Sequence, residues 1–254
     1  RFLSWSGDVS SKEHTVRITV DAPKNFTATF GGGPGSLRWK RPIETHSTAN
    51  LYLRAGWDGT LYTTESDTTG WTLTRLLAID TATGDEKWRT DLFNDMNTVG
   101  FTKDGKVLVP TGRFLAALDP DDGDFFWEYW PDAEANSLAS AVPATLHDGT
   151  IIASGGRAHA IDPETQTLKW DYNMLSPHGP AAVGPDDTVY LGGTRLAALK
   201  GDTGEASWFL GPEPGSTTFS YHSPALGLDG MLYCFTNRWV QNAQENRNEI
   251  SMVG

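Results

Sequence analysis

The chain has 254 residues, 38% of them hydrophobic, with 20 Lys and Arg against 32 Asp and Glu for a formal net charge of −12. That acidity argues against nucleic acid or an anionic membrane as partner, since both are held through basic patches. No run of about 18 apolar residues is present to cross a bilayer as a helix, and the single cysteine, Cys234, leaves no internal disulfide and reads as a small core hydrophobe.

In chain order, Phe2-Leu3-Ser4-Trp5-Ser6-Gly7-Asp8, alternating Val16, Ile18 and Val20, and then Phe26-Thr27-Ala28-Thr29-Phe30 predict two or three short strands with an apolar period of two. A segment as short as 1–30 cannot bury a core alone. It is either packed on the remainder of the chain or the tail of a domain lying upstream, and a chain that begins at Arg1 suits a processed or truncated product. Residues 31–35, Gly-Gly-Gly-Pro-Gly, form a linker. Gly35-Ser36-Leu37-Arg38-Trp39 then reads as a strand with no repeat before it.

From residue 36 to 254 a pattern recurs: an apolar pair and Asp, then Gly, then Trp four residues later. The copies run Ala78-Ile79-Asp80 to Gly84 and Trp88, Ala117-Leu118-Asp119 to Gly123 and Trp127, Ala160-Ile161-Asp162 to Gln166 and Trp170, and Ala198-Leu199-Lys200 to Gly204 and Trp208. From Trp to Trp the steps are 39, 43 and 38 residues. A second motif keeps step with the first: Asp58-Gly59, Asp104-Gly105, Asp148-Gly149, the variant Asp186-Asp187, and Asp229-Gly230, each followed by alternating apolar residues and hence by a hairpin strand. Pro143-Ala144, Pro180-Ala181 and Pro224-Ala225 stand where an edge strand begins, a place where Pro removes no ladder bond. A period of about 40–45 residues made of short strands and turns predicts an all-β chain, a β-propeller of four-stranded blades. About five repeats are present, the fifth with Asn242 to Asn246 as its Gly-type turn and Ile250 at the Trp place. Either the strand at Trp39 closes the ring by completing the last blade, or the chain is a segment of a larger ring. Ile250 in the last outer strand would contend with Trp39 for one edge and favours the segment.

The order Ser-Pro-Ala, Asp-Gly-x-Leu-Tyr, Ala-Leu-Asp-x-x-Thr-Gly-x-x-x-Trp resembles the pyrroloquinoline-quinone-like (PQQ-like) repeat from about Gly35 onward. The resemblance implies that Trp39, Trp88, Trp127, Trp170 and Trp208 dock neighbouring blades. A Trp buries ~150–250 Å² and can satisfy its indole N–H at a blade edge. It also raises a quinone-dependent dehydrogenase, which would hold the quinone with calcium on the propeller axis. One cysteine excludes the vicinal pair used by some such enzymes, and no acidic and amide set matches their ligands residue by residue, so no cofactor is expected. Residues 1–30, with Trp5-Ser6-Gly7-Asp8 and Thr27-Ala28-Thr29-Phe30, resemble the second half of an internalin-type divergent B-repeat, a β-grasp module of cell-surface proteins.

Two polar sets remain. Asp119, Asp121, Asp122 and Asp124 could ligate calcium, but they lack the alternating ligands and distant bidentate Glu of a calcium loop, and Pro-Asp-Asp-Gly is already a turn. His178 and His222 precede the inner strand at the same place in successive repeats, His46 offers a third copy, and Asn97 and Ala141 fill the other two places, which predicts a His/Asn rim at the mouth of the central channel able to hold a metal or hydrogen-bond a peptide or glycan. The competing reading has them bond the turn above that strand. The expectation is therefore a non-catalytic binding or scaffolding propeller at the cell surface or in the periplasm, with a protein or glycan partner. The alternative is a fragment of a quinone-dependent dehydrogenase.

Overall fold

The computed structural model describes residues 2–7, 26–30, 38–43, 53–66, 73–93, 98–131, 141–173, 179–211, 219–241 and 246–253. Among these every regular element is a strand. β1 (Phe2–Gly7) and β2 (Phe26–Phe30) pair antiparallel, with Phe2 opposite Phe30 and Gly7 opposite Phe26. Val16, Ile18, Val20 and the linker 31–35 lie outside the described residues.

The rest is a series of antiparallel sheets, each in simple chain order. The first blade comprises β3 (Arg54–Ala55), β4 (Thr60–Ser66), β5 (Leu73–Asp80) and β6 (Glu86–Phe93). The second comprises β7 (Gly100–Phe101), β8 (Val107–Pro110), β9 (Leu115–Leu118) and β10 (Phe125–Tyr129). The third comprises β11 (Ala144–Thr145), β12 (Ile151–Ser154), β13 (Ala158–Asp162) and β14 (Thr167–Tyr172). The fourth comprises β15 (Ala182–Val183), β16 (Val189–Gly192), β17 (Leu196–Leu199) and β18 (Ala206–Leu210). The fifth is three-stranded: β19 (Phe219–Leu226), β20 (Leu232–Gln241) and β21 (Asn246–Val253).

The fifth blade departs from the expectation. Gln241 pairs with Asn246, so the chain reverses there between the second and third strands, not between the third and the outer one. Ile250 faces Asn237 inside β21, which is the third strand, and it does not occupy an outer strand. Asn246 does not stand in the turn before an outer strand but pairs with Gln241 in a long hairpin, like the extended β4–β5 hairpin of the first blade, and Asn242 lies outside the described residues. The contention between Ile250 and Trp39 for one edge therefore falls away.

The central strands are buried on both faces, and alternation assigns each face to a different neighbour. In β8, Val107 and Val109 join Tyr62, Leu76, Trp88 and Leu92 of the first blade, whereas Leu108 joins Ile151, Ala153 and Ile161 of the third. β9 divides likewise, Ala116 and Leu118 one way, Leu115 and Ala117 the other. Between the third and fourth blades, Ile152, Ala158 and Ala160 meet Val189, Leu191, Ala197 and Leu199. Leu196, Tyr221 and Cys234 join the fourth blade to the fifth. A strand covered on both sides reads as a near-continuous apolar run, hence Val-Leu-Val in β8 and Leu-Ala-Ala-Leu in β9 and β17 in place of polar alternation, whereas β4 also buries Thr63, Thr64 and Glu65. Each fully buried Leu or Ile side chain contributes roughly 1.5–3 kcal/mol.

Tryptophans add a directional bond at the rim of these clusters. Trp39 Nε1 donates to Thr81 O at 2.9 Å, Trp88 Nε1 to Pro120 O at 2.8 Å and Trp170 Nε1 to Gly201 O at 2.8 Å. Each acceptor lies one residue beyond the Asp-type position that opens a turn. The turn Gly makes room: at Gly123, with φ +80, a Cβ would lie 2.5 Å from the Trp88 ring, so both backbone and space exclude a side chain. The third turn departs from this. Gln166 takes the left-handed conformation with φ 55 and its own amide donates to Pro163 O at 2.8 Å, the carbonyl that an incoming indole would use. Trp127, whose place in the repeat faces this turn, is half-buried against the cluster around Ile151 and Ile161. Trp208 differs more: it is 45% exposed where Trp88 and Trp170 are 7% and 8% exposed.

A second recurring device sits at the Asp-Gly turns. In the first blade Asp58 Oδ2 accepts from Thr60 Oγ1 at 2.5 Å, and Lys87 from the outer strand donates to both Asp58 Oδ2 (3.1 Å) and Thr60 Oγ1 (2.8 Å). The third blade repeats it, with Lys169 on Asp148 Oδ2 at 2.9 Å and Thr150 Oγ1 at 2.6 Å. Partial burial pushes the Asp148 carboxyl upward, but the Thr150 N–H, the Lys169 ammonium and the Thr150 hydroxyl outweigh it and hold the group at about 2.

Both devices can be tested by substitution. Trp88→Ala and Trp170→Ala each lower the unfolding free energy by about 3–5 kcal/mol in urea titrations, and Trp208→Ala costs much less; equal losses at all three positions would refute docking as the source of the difference. Because the folded-state pKa of Asp148 is depressed, its stabilisation is present above the unfolded value near 3.8 and is lost as pH falls towards about 2. Thermal melts across that range therefore show a steeper acid-side decline for wild type than for Asp148→Asn.

Candidate functional site

The inner strands of the second to fifth blades, β7, β11, β15 and β19, adjoin in sequence around the channel side. Their spacing is close: a Cβ on Gly100 would lie 2.8 Å from Pro143 O, and Thr145 Oγ1 donates to Phe101 O at 2.7 Å. Gly179 packs so tightly on Ser223 that a Cβ there would run into the hydroxyl, and Ser154 Oγ donates to Gly179 O at 3.3 Å. Residues at or just ahead of the inner strand thus touch from one blade to the next.

Of the four rim residues expected from the sequence, His222 is described and His46, Asn97 and His178 lie outside the described residues. His222 is half-buried inside β19, not ahead of it, paired with Phe235 across the ladder. Its Nε2 lies 2.9 Å from Ser220 Oγ on the same strand. A bulge between His222 and Ala225, with Ser223 at φ 42, bends the strand here. The aspartates considered for calcium serve the turn: Asp119 accepts from Asp121 N–H at 3.0 Å, Asp122 from Asp124 N–H at 3.0 Å, and Lys106 Nζ sits 3.1 Å from Asp119 Oδ2. Among the described residues no three His, Cys, Asp or Glu side chains converge as metal ligands. Cys234 is buried, and burial raises its thiol.

The channel side carries a further feature that the repeat pattern does not single out. A groove of about 380 Å³ runs along the inner strands of the first three blades, with Leu53, Arg54 and Trp57 on one side and Val99, Phe101 and Pro143 on the other. Trp57 is 86% exposed and Leu53 62%. Behind the groove the first and second blades are firmly joined: the Tyr62 ring lies 5.6 Å from Phe101 and 5.8 Å from Trp88. Burial first, and then the Asp58 charge, push the Tyr62 hydroxyl up to about 12. Arg54 is the sole charged residue among the described lining, in a chain of net charge −12. The groove therefore offers apolar and aromatic surface, short strand edges and a single cation. A signal for it existed in the sequence: the residue before each Asp-Gly-type turn is Trp57, then Lys103, His147, Pro185 and Leu228, and a Trp at so exposed a turn position is not a folding requirement.

Comparison with known proteins agrees with this architecture. Residues 31–184 match the family model described as outer membrane protein assembly factor BamB. No curated protein matches. Among solved structures, hydrazine synthase of Kuenenia stuttgartiensis aligns with a TM-score of 0.58 at 14% identity over 86% of this chain and 66% of that one, so this chain spans just under two thirds of it. BamB from Moraxella catarrhalis aligns at 16% identity over 80% of this chain and 75% of that one, with a TM-score of 0.45. At 14% identity the similarity to hydrazine synthase is one of fold. The match over more than half of the sequence, on blades that carry the repeated turns and docking tryptophans, makes this chain a member of the PQQ-like repeat β-propeller family described as outer membrane protein assembly factor BamB.

Proposed function

We propose that this chain is a non-catalytic propeller that binds an extended segment of a partner protein in the inner-strand groove and so acts as a binding or scaffolding module. The observation that carries this reading is the groove itself: apolar walls, two strongly exposed large side chains at Leu53 and Trp57, and one cation. Such a surface suits an extended apolar segment bearing a carboxylate for Arg54. A working location outside the cytoplasm, in the periplasm or at the cell surface, is part of the proposal. It draws on the family's description as an outer membrane assembly factor and on the B-repeat resemblance of residues 1–30. We further propose that residues 1–30 form part of a separate module, joined by 31–35 to the propeller at 36–254.

The test is selection of a displayed library of extended peptides against the full chain, alongside a glycan array and a dye-linked oxidation assay with added pyrroloquinoline quinone and calcium. Peptides enriched in apolar and acidic residues should bind wild type and lose at least about tenfold in affinity on Trp57→Ala, a loss of roughly 1.4 kcal/mol. Glycan binding that depends on Trp57 would replace the peptide by a saccharide. Quinone-dependent turnover without peptide binding would overturn the reading.

A further inference from the structure

Position 207 departs from the first and third blades in a way that leaves a hollow; the second blade carries Phe126 at the same place. In the first and third blades the Asp-x-Thr of the Asp-Gly turn is completed by a lysine from the outer strand, Lys87 on Asp58 and Thr60, Lys169 on Asp148 and Thr150. The fourth blade builds the same acceptor pair: Thr188 N–H donates to Asp186 Oδ1 at 3.2 Å and Thr188 Oγ1 to Asp186 Oδ2 at 2.9 Å. The register of the outer strand is also the same, with its bulge one residue before the Trp. Where Lys87 and Lys169 stand, however, the residue is Ser207, and a cavity of about 500 Å³ opens there, lined by Leu146, Asp186, Thr188, Asp202 and Ser207 and also by Lys200, whose ammonium is turned to Glu205.

The neighbouring charges are already engaged. Lys169 holds Asp148 at 2.9 Å, His147 Nδ1 lies 2.8 Å from Asp187, and Lys200 pairs with Glu205 at 2.9 Å. Among the described residues no basic side chain pairs with Asp186. Its hydrogen bonds to Thr188 keep it ionised by lowering its pKa. A metal is disfavoured by the donor arrangement, since no three ligating side chains converge among the described residues. The acceptor pair has instead the geometry that grips a primary ammonium in two sister blades.

We propose that the hollow beside Asp186, Thr188 and Ser207 receives the side-chain ammonium of a lysine on a partner protein. The ammonium would take the place of Lys87 and Lys169, accepted by Asp186 Oδ2 and Thr188 Oγ1. Its aliphatic stem would lie along the apolar wall at Leu146, as lysine stems do on apolar surface. The net charge of −12 favours approach of a basic partner. This site is separate from the channel groove, so either can fail while the other stands.

The test is a two-dimensional amide NMR titration of the full chain with acetyl-Gly-Lys-Gly-amide and with its norleucine counterpart. The lysine peptide should give saturable shifts centred on Thr188 and Ser207, and the norleucine peptide none. Asp186→Asn, which keeps the turn's acceptor oxygen, should weaken binding at least about tenfold. Ser207→Lys should abolish it while raising Tm by about 1–3 °C as the introduced lysine fills the hollow. Equal shifts with both peptides, undiminished binding by Ser207→Lys, or no saturable shift up to about 10 mM would overturn the proposal.

Discussion

Everything in this molecule depends on covering both faces of the central strands. A four-stranded blade has two apolar faces and cannot bury either by itself, so it is stable only between neighbours. In β8, odd and even positions belong to different clusters: Val107 and Val109 are buried against the first blade and Leu108 against the third. The consequence is near-complete burial of the second and third strands of the second and third blades, while the outer strands are exposed apart from docked residues such as Trp88, Tyr129 and Trp170; in β18 every residue is exposed. It also explains why the inner strands can be two residues long: they are edges, held by their neighbours at Gly100–Pro143 and Thr145–Phe101 rather than by a long ladder.

The blade plan is legible in the residues because turn chemistry is local. Asp80 accepts from the Ala82 and Thr83 N–H groups, Gly84 has φ +80, and both features can be read without knowing the neighbours. What the motif cannot convey is how each interface is finished. Whether Trp127 meets a free carbonyl depends on Gln166, whose amide takes Pro163 O for itself. Whether Trp208 is covered depends on the fifth blade, whose third strand does not keep the repeat's spacing. The sequence pattern around Asn242 to Ile250 fits a short turn and an outer strand equally well by spacing, and it is the pairing of Gln241 with Asn246 that assigns it to a long hairpin. Burial and pairing are properties of two segments at once, and a motif reports one.

The candidate sites are less legible for a related reason. A repeat draws attention to what recurs, such as histidines ahead of the inner strand, whereas the open surfaces lie where a recurring contact is replaced. Trp57 occupies a turn position filled elsewhere by Lys103, His147, Pro185 and Leu228, and Ser207 occupies one filled by Lys87 and Lys169. In the first case a large aromatic side chain is left exposed, in the second a carboxylate without its lysine. The fold tolerates both because neither residue belongs to the four interblade clusters. In a repeat protein, such departures are the places to look for recognition, since stability has no need of them.

The central physical claim, that indole docking onto the neighbouring turn locks blade to blade, can be read in one sample by hydrogen exchange of the tryptophan indole N–H groups. The account predicts slow exchange for Trp88 and Trp170, whose indoles are buried and bonded to Pro120 O and Gly201 O, and fast exchange for Trp57 and Trp208. Equal exchange across these four groups would contradict it.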